Sequence, residues 1–273
     1  MSNRFLIAVA ALVCGMLCAT HVKVFVSLSP MLEAVEAIGG RHVEAAVLLP
    51  PGSSPETYQP DARLLNRLGK ADAVFVIGVP FEEVLVAKLK ASFPKLNVVD
   101  GTKGMKKRTF EDGGNDPHVW LSCSNMMKYA ENVAETLSEL MPDEADDFQK
   151  ALKKYNDGLQ KTSEKIRAEL SGLEGRTLLV YHPAFGYFLE EYGITQLAIE
   201  EEGKEPTGGY LQKALSLGRK LKVKAVFVQP QFSPRSAKTI ANELKCRVVS
   251  IDPLPKKLTD GLLKLADALK KGE

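Results

Sequence analysis

The feature that most constrains the fold is an alternation of strand-like and helix-like segments that occurs twice along the chain. Apolar runs separate helical patterns in the first half (VKVFVSL, VEAAVLL, ADAVFVIG, LNVVDG) and again in the second (RTLLVYHP, TQLAIEEE, AVFVQP, CRVVSIDPL). Strands that alternate with helices form βα units, whose parallel sheet is covered on both faces. We therefore predict an α/β fold of two lobes, each a parallel sheet flanked by helices.

The segment between the two halves predicts one long helix over residues 142–173. Its apolar residues recur mostly at steps of three, four or seven, and acidic residues crowd its first turn, where the helix dipole favours anions. This helix would join an N-terminal lobe, 21–141, to a C-terminal lobe, 174–273. Two shorter helices broken at Gly158 are the alternative.

The N-terminus has the pattern of a secretory signal peptide. Residues 1–20 carry one positive charge, Arg4, followed by an uncharged apolar run over 5–17 and then small residues. The run is too short to span a membrane as a helix of about 20 residues. We expect an exported, periplasmic or extracytoplasmic protein. Lipid attachment at Cys18 is the alternative, although Leu17 fits poorly where a lipobox usually has a small residue.

Charge and cysteine content exclude some classes of protein. The formal net charge is +2, so no surface for nucleic acid or an anionic membrane is implied, and we expect a monomer that binds no nucleic acid. Beyond the signal segment the only cysteines are Cys123 and Cys246. We expect both to be free thiols, with a bridge between them as the alternative.

Metal-competent side chains follow the predicted strands in both halves. In open parallel sheets ligands bind outside the carboxyl ends of the strands. One further candidate lies in the segment NDPHVWLS, just before a helix predicted to start near Ser122 or Ser124. An interlobe cleft would bring all of these side chains together. The candidates are Glu56, His118, His182, Gln229, Gln231 and Asp252.

The chain has four histidines, and their surroundings divide them into two pairs. His21 and His42 lie at the processed terminus and before a strand among polar residues, and we expect both at the surface. His118 and His182 each lie beside a proline, in DPH and HPA, and proline fixes the local backbone. A rigid position suits a metal ligand, but the residues alone leave a structural role for both histidines open.

Eight segments, in order along the chain, carry a resemblance to a known family: SLSPMLEAVEAIGG, LLPPGSSPETYQP, ADAVFVIG, NDPHVWLS, YHPAFGYFLEEYG, EGKEPTGGYL, VQPQFSP and SIDPL. The sequence resembles the zinc- and manganese-binding receptors of ABC importers, the helical-backbone metal receptors, over nearly the whole mature chain. The resemblance implies two α/β lobes bridged by one helix, with a metal ion in the cleft. It also implies a membrane permease and its cytoplasmic ATPase as partners.

The resemblance also implies a ligand set. His118 matches the second family histidine, His182 the third position, which is His in zinc-type and Glu in manganese-type members, and Asp252 the acidic fourth. Glu56 stands where the family has its first histidine. We therefore predict that Glu56, His118, His182 and Asp252 bind Zn(II) or Mn(II). For Glu56 the alternative is a solvated loop acid with water in its place.

Two carboxylates and two neutral imidazoles would balance the charge of a divalent ion. This ligand set is harder than a set with three histidines, so it suits Mn²⁺ or Fe²⁺ better. Zinc still binds more strongly than manganese at most such sites. Zinc-type members often carry a long His-rich loop before the DPH motif. Here that stretch, KGMKKRTFEDGGND, is short and has no histidine, which fits either metal.

The predicted function is capture of a divalent metal and delivery to a permease, not catalysis. We expect Gln229 to orient a ligand and the acids Glu200, Glu201 and Glu202 to lie at the surface, either contacting the permease or merely solvated. The alternatives are a receptor of the same fold for a metal chelate such as a siderophore or corrin, a metal-dependent hydrolase with Glu56 as the base, and an adhesin or chaperone that holds metal. No HExxH motif supports the hydrolase.

Overall fold

The structure is a computed structural model that describes residues 21–110, 113–200, 207–232 and 234–272. The predicted signal peptide and Cys18 lie outside the described residues, and so do Glu201 and Glu202.

The first lobe is built on a four-stranded parallel sheet of order β2-β1-β3-β4. Each strand is a short run rich in Val, Ala and Phe, as expected for strands covered by helices on both faces. The elements are β1 (Val22–Val26), α1 (Ser29–Gly39), β2 (Val43–Val47), α2 (Ala62–Leu68), β3 (Ala73–Val76), α3 (Pro80–Ser92), β4 (Asn97–Asp100) and α4 (Cys123–Leu140).

The second lobe repeats this topology, with a parallel sheet of order β6-β5-β7-β8. Its elements are β5 (Thr177–Val180), α6 (Gly186–Glu191), β6 (Thr195–Ala198), α7 (Gly208–Leu221), β7 (Ala225–Val228), α8 (Pro234–Leu244), β8 (Arg247–Ser250) and α9 (Leu258–Gly272). The predicted fold class, two α/β lobes with a linking helix, is confirmed.

The linking helix is α5, Ala145–Glu169, which runs without a break through Gly158. It has 25 residues, which at 1.5 Å per residue gives about 37 Å. A short 3₁₀ turn, Pro142–Glu144, precedes it, so the helix is shorter than the predicted 142–173. One face is buried, and the helix packs against α1, α4 and α9. The lobe boundaries predicted from the sequence stay predictions.

The C-terminal helix α9 ties the two lobes together. Thr259 at its start hydrogen-bonds through its backbone and hydroxyl to Glu33 of α1, at 3.2 and 2.8 Å, and the helix also packs on α5. The second lobe is therefore held directly against the first, in addition to the connection through α5.

The predictions for the two cysteines and for His21 and His42 agree with the structure in part. Cys123 and Cys246 are free thiols, as expected. His21 is exposed. The expectation for His42 is wrong, because its side chain is only 17% exposed and lies 3.5 Å from Glu144. Among the described residues, no helix is both long enough and apolar enough to cross a membrane.

Candidate metal centre

Three side chains from the two lobes converge on one point. His118 Nε2 lies 3.1 Å from His182 Nε2, and Glu56 Oε1 lies 3.4 Å from His182 Nε2 and 4.0 Å from His118 Nε2. Ligands bonded to zinc at 2.0–2.1 Å with tetrahedral angles stand roughly 3.3 Å apart. The three atoms therefore form a triangle of the size that one transition-metal ion requires.

Glu56 reaches the centre from the long loop after β2. The hydroxyl of Ser54 donates to Glu56 Oε2 and also accepts from the Glu56 backbone N–H at 3.3 Å. The backbone N–H of Tyr58 bonds back to the Ser54 carbonyl at 3.0 Å, and the Tyr58 ring packs edge-on against Phe81. This turn fixes the carboxylate, whose side chain is 22% exposed.

His118 lies in a tight turn just before α4. Asp116, two residues earlier, accepts hydrogen bonds from the His118 backbone N–H at 3.0 Å and from its Nδ1 at 2.8 Å. Its other oxygen lies 3.5 Å from Nε of Arg108. The next helix then starts at Cys123 with Ser122 as its cap, as the sequence predicts. Both the backbone and the ring of His118 are therefore held by one buried carboxylate.

His182 lies directly beyond β5, at the carboxyl edge of the second sheet. Val180 pairs with Phe227 of β7, so His182 falls beside Gln229, whose amide exchanges two hydrogen bonds with the His182 backbone, at 3.2 and 2.7 Å. Gln229 therefore fixes the backbone of a predicted ligand, in agreement with the orienting role expected of it.

Glu200 completes the support of His182. Val180 also pairs with Ala198 of β6, so the residues two positions further on, His182 and Glu200, lie side by side. Glu200 Oε1 accepts from His182 Nδ1 at 2.6 Å, and the residue is 2% exposed. The expectation that Glu200 is a surface acid is wrong: it follows β6, the edge strand that pairs with β5, and its carboxylate is buried against a histidine.

The carboxylates of Asp116 and Glu200 determine which nitrogen of each histidine has a free lone pair. A neutral imidazole that donates from Nδ1 has a lone pair on Nε2. Asp116 and Glu200 each accept a hydrogen bond from an Nδ1–H group, so the two Nε2 lone pairs would face each other across 3.1 Å unless a positive charge lies between them. A proton or a metal ion can supply that charge.

The pKa values in the cluster agree with this description. Burial alone would lower the pKa of His182, but hydrogen bonds and charge interactions with Glu200 and Glu56 raise it from 6.5 to about 9. Burial alone would raise the pKa of Glu56, but His182, Ser54 and its own backbone N–H lower it from 4.5 to about 2. The raised pKa keeps a proton on His182 at neutral pH, and a cation that bound here would displace that proton.

Asp252, the fourth predicted ligand, lies outside the triangle. It is exposed beyond β8, and its Oδ1 accepts from the Leu254 backbone N–H at 2.9 Å and from Gln231 Nε2 at 3.0 Å. Its turn contacts the first lobe, because the Pro253 carbonyl accepts from the Trp120 indole at 2.7 Å and the Leu254 carbonyl accepts from the Ser29 hydroxyl at 3.2 Å. Asp252 is thus near the cluster but not part of it.

A small cavity of about 10 Å³ lies at the cluster, close to the space that a single water molecule needs. Its lining includes Ser54, Pro55, Glu56, His118, Trp120, His182, Gln231, Phe232, Pro253 and Leu254. A larger cavity of about 440 Å³ lies between the end of β8 and α9; it touches Asp252 but neither histidine. We take the small cavity as the candidate site, because the converging ligand atoms lie there.

Residues 24–270 match the family described as ZnuA, the periplasmic component A of a zinc-uptake complex. The chain belongs to the ZnuA family. The family predicted from the sequence is therefore confirmed.

Relatives of this ZnuA-family chain include binding proteins named for two different metals. The zinc-binding protein AdcA of Streptococcus pyogenes serotype M3 is 27% identical over 260 residues, which cover 85% of this chain and 50% of AdcA. The manganese-binding lipoprotein MntA of Bacillus subtilis is 28% identical over 241 residues, covering 82% of this chain and 76% of MntA. A crystal structure of ZnuA is 31% identical, with a TM-score of 0.88, covering 92% of this chain and 99% of that one. The chain spans about half the length of AdcA.

Sequence reasoning missed two supporting residues of this ZnuA-family site, Asp116 and Glu200. The signal for Asp116 was in view, since a carboxylate two residues before a histidine in D-P-H can reach that ring within one turn. The signal for Glu200 was the spacing of 18 residues from His182, which equals the offset of the β5–β6 register. Glu200 is also the first residue of an acidic run, and such a run is typical of a solvated surface.

Proposed function

We propose that this protein captures a divalent transition-metal ion, Zn²⁺ or Mn²⁺, between its two lobes and delivers it to an ABC permease. The observation that carries the proposal is the triangle of Glu56, His118 and His182, which is contributed by both lobes. A carboxylate holds the second ring nitrogen of each histidine, an arrangement that fixes the tautomer metal ligation needs.

The proposed ligand set is Glu56, His118, His182 and Asp252. Asp252 would approach through Oδ2, because its Oδ1 already accepts two hydrogen bonds. Two carboxylates and two neutral imidazoles balance the charge of a divalent ion. The ion takes the place of the proton on His182, so no uncompensated charge is buried when it enters.

The choice between the two metals is the open part of the proposal. Relatives named for zinc and for manganese match this chain at similar identity. A carboxylate at position 56 makes the site richer in oxygen, which favours Mn²⁺ relative to a three-histidine site, while the affinity order of divalent metals still favours Zn²⁺. The ion that is bound in the cell then depends on metal supply as well as on the ligands.

The partners and the location follow from the family. A periplasmic receptor of an uptake complex hands its ion to a membrane permease driven by a cytoplasmic ATPase, and we propose both as partners. We propose export by a signal peptide over residues 1–20, with Cys18 as the site of a lipid anchor in the alternative.

The geometry supports the alternatives less well. A receptor for a siderophore or corrin would need a cavity on the order of 300–1,000 Å³, whereas the cavity at the histidines is about 10 Å³. In a hydrolase Glu56 would act as the base, but a carboxyl whose pKa is lowered to about 2 is a weak base near pH 7. An adhesin or chaperone would use the same site and differ only in its partner.

The test is a titration of metal-free mature protein with Zn²⁺ and Mn²⁺ against a competing chelator. Wild type should bind one ion per chain. Glu56→Ala should weaken binding of both ions by more than about tenfold, because one ligand is lost, and Glu56→His should shift preference towards Zn²⁺.

The matched control is Glu83→Ala, which removes an exposed glutamate of α3 outside the cluster. Affinity in that variant should equal wild type. Unchanged affinity in Glu56→Ala would remove Glu56 from the ligand set, and failure of wild type to bind either ion would refute the proposed function.

A further inference from the structure

Gln231 has an unusual position at the edge of the metal cavity. It follows β7 by three residues and lines the same cavity as Glu56, His118 and His182. Its carbonyl oxygen, Oε1, is shielded from solvent and accepts no hydrogen bond from any residue that the structure describes. A buried acceptor without a partner is unfavourable, so its presence here calls for a ligand.

The orientation of the Gln231 amide is fixed by its neighbour. The carboxylate Asp252 Oδ1 can only accept, and it lies 3.0 Å from Gln231 Nε2, so the amide nitrogen must face Asp252 and the oxygen must face away. Asp252 itself is held by the backbone N–H of Leu254 at 2.9 Å. The Oε1 atom is thus directed by a supported hydrogen bond and not by chance.

Gln229 provides an internal comparison. It also follows β7 and is buried, but both of its amide atoms bond to the backbone of His182. Its oxygen is therefore already used, whereas the oxygen of Gln231 is not.

We propose that Gln231 donates Oε1 to the bound ion as a fifth protein ligand and thereby favours Mn²⁺ over Zn²⁺. This inference rests on the proposed function. Zinc is satisfied by four ligands in a tetrahedral arrangement, so an additional oxygen adds little to its binding. Manganese takes more ligands and prefers carboxylate, carbonyl and water oxygens, so the amide oxygen adds more to its binding. In this arrangement Asp252 binds the ion with one oxygen and orients Gln231 with the other.

The experiment compares wild type with Gln231→Leu, which keeps the approximate size of the side chain and removes the oxygen, and with Gln231→Glu, which keeps an oxygen donor. Zn²⁺ and Mn²⁺ affinities are measured by chelator competition. Water molecules bound to Mn²⁺ are counted by electron paramagnetic resonance in ¹⁷O-enriched water. Thermal unfolding of each metal-free variant reports whether it is folded.

In Gln231→Leu we expect Mn²⁺ binding to weaken roughly tenfold and Zn²⁺ binding by less than about threefold, because only the ion with the larger coordination number loses a ligand. One additional water should bind Mn²⁺ in its place. Gln231→Glu should keep the wild-type water count, because an oxygen donor remains for Mn²⁺. Its second oxygen would face Asp252 Oδ1 in place of the amide nitrogen, so both ions should bind more weakly by a similar factor.

Three results in Gln231→Leu would overturn the inference: equal weakening for both ions, which would mean that Gln231 only holds Asp252; unchanged affinities; or an unchanged number of waters on Mn²⁺. If wild type binds both ions and Gln231→Leu behaves like it, this inference alone fails. If wild type binds neither ion, the proposed function fails with it.

Discussion

The two histidines of the site are supported in different ways by the two lobes. His118 is held by Asp116 from the same turn, and Asp116 lies beside Arg108, which pairs in turn with Glu190 of α6. His182 is held by Glu200 from a neighbouring strand end. Within the described part of the chain Asp116 Oδ2 and Glu200 Oε2 both lack a hydrogen-bond partner, but Asp116 Oδ2 lies 3.5 Å from Arg108 Nε.

The difference determines where the proton resides. The charge of Asp116 is shared with Arg108, whereas Glu200 directs its charge at His182, the residue whose pKa is raised to about 9. In the proposed function the first lobe would thus supply the half of the site whose supporting carboxylate is paired with an arginine. The second lobe would supply the half that exchanges a proton for a metal ion.

Removal of the His182 ring should have the largest effect on metal affinity. In His182→Ala we expect metal affinity to fall by more than about 100-fold, beyond the 10- to 100-fold usual for loss of a supporting partner. Chelator competition with Zn²⁺ measures this. The matched control is His42→Ala, which removes a histidine paired with Glu144 away from the cluster; a similar loss there would mean that the effect is on folding.

The pH dependence of metal affinity should reveal the proton held by His182. Because the pKa of His182 is about 9 without metal, binding at lower pH releases one proton, and affinity should rise roughly tenfold per pH unit, or about 100-fold from pH 6 to pH 8. Calorimetry in buffers of different ionisation enthalpy counts the released protons. A count of zero at pH 7 would contradict the charge state assigned to His182.

The shifted pKa values of His182 and Glu56 also make the stability of the metal-free protein depend on pH. The raised pKa of His182 contributes stability that is fully present below pH 6.5 and is lost as pH rises through about 9. The lowered pKa of Glu56 contributes stability that is present above pH 4.5 and is lost as pH falls through about 2. Urea unfolding of the metal-free protein at several pH values should show both trends.

Replacing each supporting carboxylate by its amide shows how much that carboxylate contributes to metal affinity and to proton release. Glu200→Gln and Asp116→Asn should each weaken metal binding by about 10- to 100-fold. Only Glu200→Gln should also reduce the proton release measured at pH 7, because it removes the charge that raises the pKa of His182. Equal changes in proton release in both variants would remove the distinction between the halves.

The smallest expected effect concerns the contact between the lobes beside the site. Trp120→Phe removes the indole hydrogen bond to the Pro253 carbonyl, so we expect a loss of about 1–3 kcal/mol in the free energy of unfolding, since a buried acceptor is left unpaired. Urea unfolding measures it. Metal affinity should change less than threefold, because Trp120 supplies no ligand atom; a larger change would place this contact within the binding mechanism.

Much of this arrangement follows from sequence because it is local or periodic. The βα alternation predicts both sheets, and the prolines beside His118 and His182 mark rigid positions at the ends of elements. Glu56 was identified by its place in a motif and lies at the cluster. These features need no knowledge of which strands are neighbours.

The rest depends on strand register and on side-chain direction. Glu200 meets His182 only because β6 lies beside β5 in a register that brings Ala198 opposite Val180. The direction of the Gln231 oxygen depends on the hydrogen bond to Asp252, and the distance of Asp252 from the cluster depends on how its turn folds back onto Leu254. The spacing of 18 residues between His182 and Glu200 becomes informative only once β5 and β6 are known to be neighbours.

The turn at Asp252 has a consequence for the time that an ion stays bound. The carbonyls of the next two residues hold the first lobe through Trp120 and Ser29. If Asp252 binds the ion as proposed, movement of this turn away from the first lobe would break these two bonds and withdraw the carboxylate together. The residence time of the ion would then depend on how often the turn moves, and a permease that pulls on it would shorten that time without touching either histidine.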